Sequence, residues 1–388
     1  MHTTRANTSH RAVVLQPSAA LASAAAAGPA TGPSAAAAAP AAQAEAAPKA
    51  QVQAPAAPGA PTDQPLEPDA DVHLRWKLEP DFQLSFYKDL TKAKLSAFVV
   101  LTTMAGYAMA PGATSVASLV WTTVGTALCV ASANSINLWV EAPYDAQMAR
   151  TRNRVLVRQG MSPAHAFMAG TASGVTGVAM LYALVNPITA FLGGLNIIIY
   201  TCIYTPMKRT SIANTWAGSI VGAIPPMMGW AACTGGLELG AWVLGAILYA
   251  WQFPHFNALA WNLRPDYSKA GYRMMSVVDP GLNARVALRY SLVLFPLSYA
   301  VYALGIVTPW FLLDSSLVNG YMAWCAFRFW RDSTDGSARK LFFSSLVHLP
   351  LILALMMIHK AAVSAPAEEL DAAAEGDADA EASVRPVQ

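Results

Sequence analysis

Asn137, Glu141 and Asp145 recur every fourth residue in the run Asn134-Ser-Ile-Asn137-Leu-Trp-Val-Glu141-Ala-Pro-Tyr-Asp145. On a helix, positions i, i+4 and i+8 fall on one face, about one turn apart. Two carboxylates and a carboxamide at the end of an apolar stretch are costly to hold without a cation, and ionisable groups at membrane depth are functional by default. Oxygen ligands of this kind suit a hard ion such as Mg²⁺, which reaches a protein through one or two carboxylates plus the phosphates of a substrate. The plainer alternative is that Glu141 and Asp145 pair with Arg150 and Arg152 in a solvated loop; spacing leaves both open. Pro143 predicts that the helix ends or bends within the run.

A second group of residues is Tyr200-Thr-Cys-Ile-Tyr204-Thr-Pro-Met-Lys208-Arg209. Adjacent cations at the end of an apolar span serve well as topology determinants. With Arg150 and Arg154 on the same membrane face they also become candidates for a diphosphate, because Arg offers forked hydrogen bonds and Lys a point charge. A third stretch, Trp251-Gln-Phe-Pro-His255-Phe-Asn257, places His255 and Asn257 in a span with few other polar groups, and Asp266 follows in a basic loop. A hydrogen-bonded core histidine and a surface salt bridge are the ordinary readings of His255 and Asp266.

The elements that would position these residues are apolar. The 388-residue chain is 55% hydrophobic, 12% charged and carries a net charge of +2. Soluble domains carry about twice that charged share, and the balance gives no reason to expect a nucleic-acid partner. Asp, Glu, Lys and Arg are absent from 95–140, 166–207 and 239–263. Since about 20 apolar residues cross a hydrocarbon core, nine spans are expected near 94–111, 117–140, 164–184, 188–206, 213–234, 239–260, 287–307, 309–327 and 341–361. The eighth is the weakest, with Asp314 near its start. Gly218 and Gly222 fit a small-residue face for close helix approach. The loops near 141–163, 207–212, 261–286 and 328–340 hold nearly all the Arg and Lys of this region, and the alternate turns hold none. That side faces the cytosol of a bacterium or the matrix of a mitochondrion. The four cysteines have no paired spacing and read as small buried hydrophobes. Residues 1–80 are rich in Ala and Pro, with an acid-poor, Arg-containing start expected of a transit peptide followed by a disordered segment. Residues 81–361 form the membrane domain, and 362–388 an acidic disordered tail.

The three blocks NSINLWVEAPYDAQMARTRNR, YTCIYTPMKRTSIANTWAGSIVGAIPPMMGW and WQFPHFNALAWNLRPDYSKAGYRMMSV together resemble the UbiA superfamily of intramembrane prenyltransferases. They are most similar to its heme O synthase branch, in the mitochondrial form, over about residues 90–355. The resemblance implies an all-α membrane protein with nine transmembrane helices around a central cavity, in the mitochondrial inner membrane, with its active-site loops on the matrix side. It implies transfer of a farnesyl group from farnesyl diphosphate to heme B, giving heme O for heme A biosynthesis, with Mg²⁺ as cofactor. Heme A synthase or cytochrome oxidase assembly factors are the protein partners it suggests, beside the lipid bilayer. Asn137, Glu141 and Asp145 map onto the metal-binding motif. Lys208 and Arg209, with Arg150 and Arg154, map onto diphosphate contacts. Asn134, Tyr204, His255, Asn257 and Asp266 are expected to contact substrate, and His255 to face the heme; His348 and His359 are further candidates. Trp139, Trp216 and Trp251 are expected to line an apolar cavity around an allylic cation. Leu138 stands where quinone-directed members often carry Asp, and Phe256 and Leu263 where a second acidic motif would be, a departure that the heme branch shares. The alternatives are a prenyltransferase acting on a quinone or chlorin ring, a heme or lipid transporter, and an assembly factor without catalysis.

Overall fold

A computed structural model describes residues 83–361. The expected transit segment and acidic tail lie outside them. The described chain is helical: α1 (Leu84–Leu90), α2 (Ala93–Met109), α3 (Val116–Asp145), α4 (Pro163–Leu184), α5 (Pro187–Ile198), a π-helical turn (Ile199–Tyr204), α6 (Thr205–Thr210), α7 (Asn214–Thr234), α8 (Leu239–Asn262), α9 (Arg264–Lys269), α10 (Met275–Val278), α11 (Pro280–Ala303), α12 (Trp310–Asp332) and α13 (Asp335–Ile358). Each of the nine expected spans coincides with a long helix, with α5, the π turn and α6 forming one continuous rod.

Local chemistry sets the boundaries. Ser162, Asn186 and Asp279 accept a hydrogen bond from the first turn of α4, α5 and α11, and a proline follows each. A side-chain acceptor at the cap and a pre-set proline φ just inside the helix satisfy and preorganise the free N–H end. Thr334 and Ser337 form a reciprocal capping box on α13. Pro143 does not end α3, which continues to Asp145. Asn137, Glu141 and Asp145 therefore keep their common face.

Five rods, Val116–Asp145, Pro163–Leu184, Pro187–Thr210, Pro280–Ala303 and Asp335–Ile358, are long and apolar enough to cross a membrane. Of the others, α2 is apolar but shorter, at 17 residues, while α8 holds Gln252, His255 and Asn257, and α12 holds Asp314 and Arg328. Phe98, Val175, Phe191, Leu317 and Val347 are all more than half exposed. Soluble surfaces rarely present such patches, and a lipid-facing surface requires them. This is a multi-pass membrane protein.

The largest apolar core lies among α8, α11, α12 and α13, around Leu244, Phe311, Phe329 and Leu341. A smaller one joins α3, α4, α5 and α7 around Cys129, Leu181 and Met228. The closest helix approach is between α2 and α7, where a β-carbon on Gly229 would sit 1.8 Å from the Thr103 carbonyl oxygen. The expectation for Gly218 and Gly222 needs correction. They leave room for the side chains of Tyr204 and Gln252, not for another backbone. The cysteines also divide: Cys129 and Cys325 are buried, whereas Cys233 is half-buried and Cys202 exposed on the apolar outer face. At the end away from the basic loops, the Lys360 ammonium donates to the carbonyls of Ala108 and Ala110, which ties the last described residues to α2.

Candidate active site

The last two turns of α3 carry the acidic face into the protein: Asn137, Glu141 and Asp145 are 0%, 5% and 1% exposed. Buried carboxylates need partners, and other elements bring them. Lys208 on α6, itself buried, donates from Nζ to Glu141 Oε1 at 2.5 Å. The Arg154 guanidinium donates to Asp145 Oδ2. Thr151 holds that loop against the end of α3 by donating to the Asp145 carbonyl at 2.9 Å. The π turn carries Lys208 round. Thr205 donates to the Tyr200 carbonyl at 2.8 Å and accepts from Asn137 Nδ2 at 2.9 Å. The Tyr204 ring lies 4.5 Å beneath the Lys208 ammonium, where cation–π attraction adds to the ion pair.

A third cation completes the cluster. Lys92, between α1 and α2, donates from Nζ to Asn137 Oδ1 at 2.7 Å. Its backbone has φ 51, the left-handed region, which costs a non-glycine residue about 1 kcal/mol or more. Burial and the charge of Arg154 push the Lys92 ammonium down to about 7, against the pull of Glu141 and Asp145. Lys92 read in the sequence as one of three flanking lysines, and nothing in its spacing set it apart from Lys88 and Lys94. Thr205 was equally silent.

The expected metal ligands differ in fitness. Asp145 Oδ1 is buried and, among the described residues, has no hydrogen-bond partner; it is an acceptor of the kind a hard cation uses. Glu141 stands one turn away. Asn137 Oδ1 receives Lys92 and Glu141 Oε1 receives Lys208, so each of these two oxygens already has a basic partner whereas Asp145 Oδ1 has none among the described residues. No group of three His, Cys, Asp or Glu side chains among the described residues is placed to hold a metal. Two carboxylates that share an ion with substrate phosphates match Mg²⁺ better than a metal caged by protein alone.

The remaining expected residues sort by position. Arg209 lies at the rim, donating to the Tyr144 hydroxyl at 2.8 Å with its guanidinium over that ring. Arg150, in the loop after α3, is exposed and makes no ion pair among the described residues. Asn134 has its carboxamide spent on Thr91, Ser96 and Tyr200, which fastens α3 to its neighbours. Asn257 is fully buried: its Nδ2 donates to the Asn283 backbone carbonyl of α11 and its own backbone carbonyl accepts from Asn283 Nδ2, while its Oδ1 has no partner among the described residues. Asp266 is half-buried and forms no ion pair among the described residues. Trp139 points outward, 40% exposed against Phe167, so it does not line the interior. The rings beside the cluster are Tyr200 and Tyr204.

His255 is the residue of the third block with a free reactive atom. Its ring stacks on Trp251 at 4.7 Å, and its Nδ1 meets Ser345 Oγ at 2.9 Å. Ser345 spends its single proton on the Phe342 carbonyl at 2.6 Å. With the Ser345 proton on the Phe342 carbonyl, Nδ1 is the donor to Ser345 Oγ and Nε2 is left as a lone-pair donor. His348 is instead buried against Asn319 at 2.8 Å, and His359 against Asp314 at 2.8 Å, both distant in the fold from the Glu141 and Asp145 cluster's helices α3 and α6.

The sequence signature of the UbiA prenyltransferase family matches residues 99–347. The chain is 54% identical over 271 residues to the protoheme IX farnesyltransferase, mitochondrial, of Homo sapiens, covering 70% of this chain and 61% of that protein. It is 50% identical over 289 residues to the protein of the same name from Yarrowia lipolytica, covering 71% and 61%. The chain thus spans about three fifths of the length of these relatives. Its fold is similar to a digeranylgeranylglyceryl phosphate synthase structure, with TM-score 0.63 at 13% identity, covering 72% of this chain and 98% of that one. It is also similar to a UbiA homolog from Archaeoglobus fulgidus bound to DMAPP and Mg²⁺, with TM-score 0.52 at 16% identity, covering 70% and 98%.

Proposed function

This chain belongs to the UbiA prenyltransferase family, and we propose from that premise that it transfers a farnesyl group from farnesyl diphosphate to heme B, making heme O. The observation that carries the reading is the meeting of Glu141 and Asp145 with Lys208, Arg154 and Lys92 at one end of the helices. Cations drawn from three separate elements around two carboxylates suit a polyanion bound together with a divalent ion. The names of the relatives, at 54% and 50% identity, support heme as the acceptor.

Glu141 and Asp145 would hold Mg²⁺; when bound, it supplies Lewis acidity toward the diphosphate. Lys208, Arg154 and Lys92 would take up the negative charge that grows on the leaving group as the allylic C–O bond breaks, which is where preorganised charge lowers a barrier most. Arg209 and Arg150 at the rim would guide the diphosphate in. The Tyr200 and Tyr204 rings would shield the allylic cation from water and stabilise it through their π faces. The 2-vinyl group of heme would then form a C–C bond to the farnesyl carbon, and water would add to the cation left beside the ring and release a proton to solvent, giving the new hydroxyl. His255 would face the heme through Nε2, in the tautomer that Ser345 imposes. In this reading all nine rods cross the mitochondrial inner membrane around a central cavity, with the cluster on the matrix side.

The test is incubation of the purified chain with heme B, farnesyl diphosphate and Mg²⁺, followed by mass analysis of the heme. Heme O is the expected product; unaltered heme B rejects the reading. For His255, the Ser345→Ala variant is expected to shift the bound-heme absorption band and to slow turnover about 10-fold or more, the usual effect of losing a residue that orients a ligand. A band and rate equal to wild type would remove the histidine from the heme.

A further inference from the structure

The segment from Arg264 to Asp279 contains a buried hydroxyl to which no role has been given. Gly271 has φ 68, a reversal open to glycine, and the turn lets the Tyr272 N–H donate to the Tyr267 carbonyl at 2.9 Å. The next residue is pinned twice: the Arg273 N–H donates to the Lys208 carbonyl at 2.7 Å, and its own carbonyl accepts from Asn214 Nδ2 at 3.1 Å. Tyr272 is thereby fixed against the end of α6, with its ring packed on Tyr144 at 5.9 Å and Tyr267 at 6.1 Å. Tyr144 is the neighbour of Asp145 in α3.

Tyr272 is 4% exposed, and its hydroxyl is buried with no partner among the described residues. A buried, unpaired phenol is expensive, so the side chain calls for an explanation. A pure packing role would be filled as well by phenylalanine. Burial, then the charges of Glu141 and Asp145, hold the phenol well above its ordinary range, and Lys208 and Arg154 act on it in the opposite sense. The hydroxyl thus keeps its proton and lies within the field of the same four charges that form the cluster. Its one natural use there is as a hydrogen-bond donor to an anion that arrives with the substrate. The other unpaired oxygen of this neighbourhood, Asp145 Oδ1, is an acceptor. One orphan donor and one orphan acceptor match, respectively, a phosphate oxygen and a divalent cation.

We infer that the Tyr272 hydroxyl is a binding residue for the diphosphate, donating to one of its oxygens from the loop that covers Lys208. The inference rests on the reading of the cluster as a diphosphate site and adds a neutral donor from a different element.

The full-length chain, its Tyr272→Phe variant and its Tyr272→Leu variant are titrated with inorganic pyrophosphate in the presence of Mg²⁺. Calorimetry gives the affinity, and the thermal midpoint is recorded with and without ligand. Tyr272→Phe is expected to keep the wild-type midpoint without ligand, to bind about 10-fold more weakly, and to show a smaller ligand-induced rise. In turnover it is expected to raise KM for farnesyl diphosphate and leave KM for heme in place. Tyr272→Leu separates packing from hydrogen bonding, since it alone should lower the ligand-free midpoint. Wild-type affinity in Tyr272→Phe overturns the inference while leaving the diphosphate site intact. Absence of pyrophosphate binding by the wild-type chain overturns both.

Discussion

Each charged side chain of the cluster already has a partner, yet they are not equivalent. Glu141 takes Lys208 on Oε1, whereas Asp145 Oδ1 is buried with no partner among the described residues. Asp145→Asn would retain size and part of the hydrogen bonding to Arg154 but lose the negative charge. It is expected to reduce heme O formation by about 10²–10³ and to leave the protein inserted in membranes, as checked by turnover and fractionation. Lys92 predicts a pH signature. With its group pushed from 10.5 to about 7, the ligand-free protein holds a neutral amine over most of that interval, while a bound diphosphate favours the ammonium. The complex therefore carries more protons than the free protein, and affinity for pyrophosphate rises as pH falls through the window from 10.5 to 7. Calorimetry in buffers of different ionisation enthalpy should detect proton uptake, and Lys92→Met should abolish it. An affinity independent of pH would contradict the role. The carboxylates and the Lys-Arg pair that the fold brings together were legible in the sequence because their types are rare in apolar surroundings. Lys92 and Tyr272 were not, because their type matches their neighbours and only tertiary contacts single them out. Asn257 shows the limit of residue type, since a buried carboxamide reads alike whether it holds a ligand or another helix, and here Nδ2 ties α8 to α11 while Oδ1 is left open among the described residues.

At the level of elements, the sites are made by departures from regular helix. The π turn before α6 inserts Thr205 between the Tyr200 carbonyl and Asn137. Such bulges commonly mark functional positions. Hydropathy showed one continuous span through 188–206 and carried no trace of the bulge, since its residues are as apolar as the helix on either side. The nine rods themselves were legible from their long apolar runs, five of them long and apolar enough to cross a membrane, and the caps of three follow from Ser162, Asn186 and Asp279. Close packing was harder to foresee: the GxxxG-like spacing pointed to Gly218 and Gly222, but the backbones meet at Gly229. Gly229→Ala puts a methyl group against the Thr103 carbonyl. It should destabilise the protein by about 1–3 kcal/mol, seen as a lower thermal midpoint in detergent, with little effect on the pyrophosphate affinity of the molecules that stay folded. An unchanged midpoint would mean that α2 and α7 separate freely.

For the whole molecule, the arrangement of charge defines sidedness. The basic segments that carry Arg150, Arg154, Lys208, Arg209 and Arg273 lie at one end of the rods, and the turns between helices without Arg or Lys at the other. Gly236, in one of those turns, has open space around it. In a background without Cys202 and Cys233, Gly236→Cys is expected to react with a membrane-impermeant thiol reagent added to intact mitoplasts. Labelling that required the membrane to be opened would reverse the orientation. The Glu141 and Lys208 contact has a consequence for how such a molecule waits between turnovers. Under the proposed function, an isoprenoid diphosphate arriving at this mouth would not meet bare charge; it would trade places with a resident counter-ion, and on its departure the old couple would re-form. Occupancy is then a swap rather than an addition, which lets spent pyrophosphate leave without stranding an ammonium in oil.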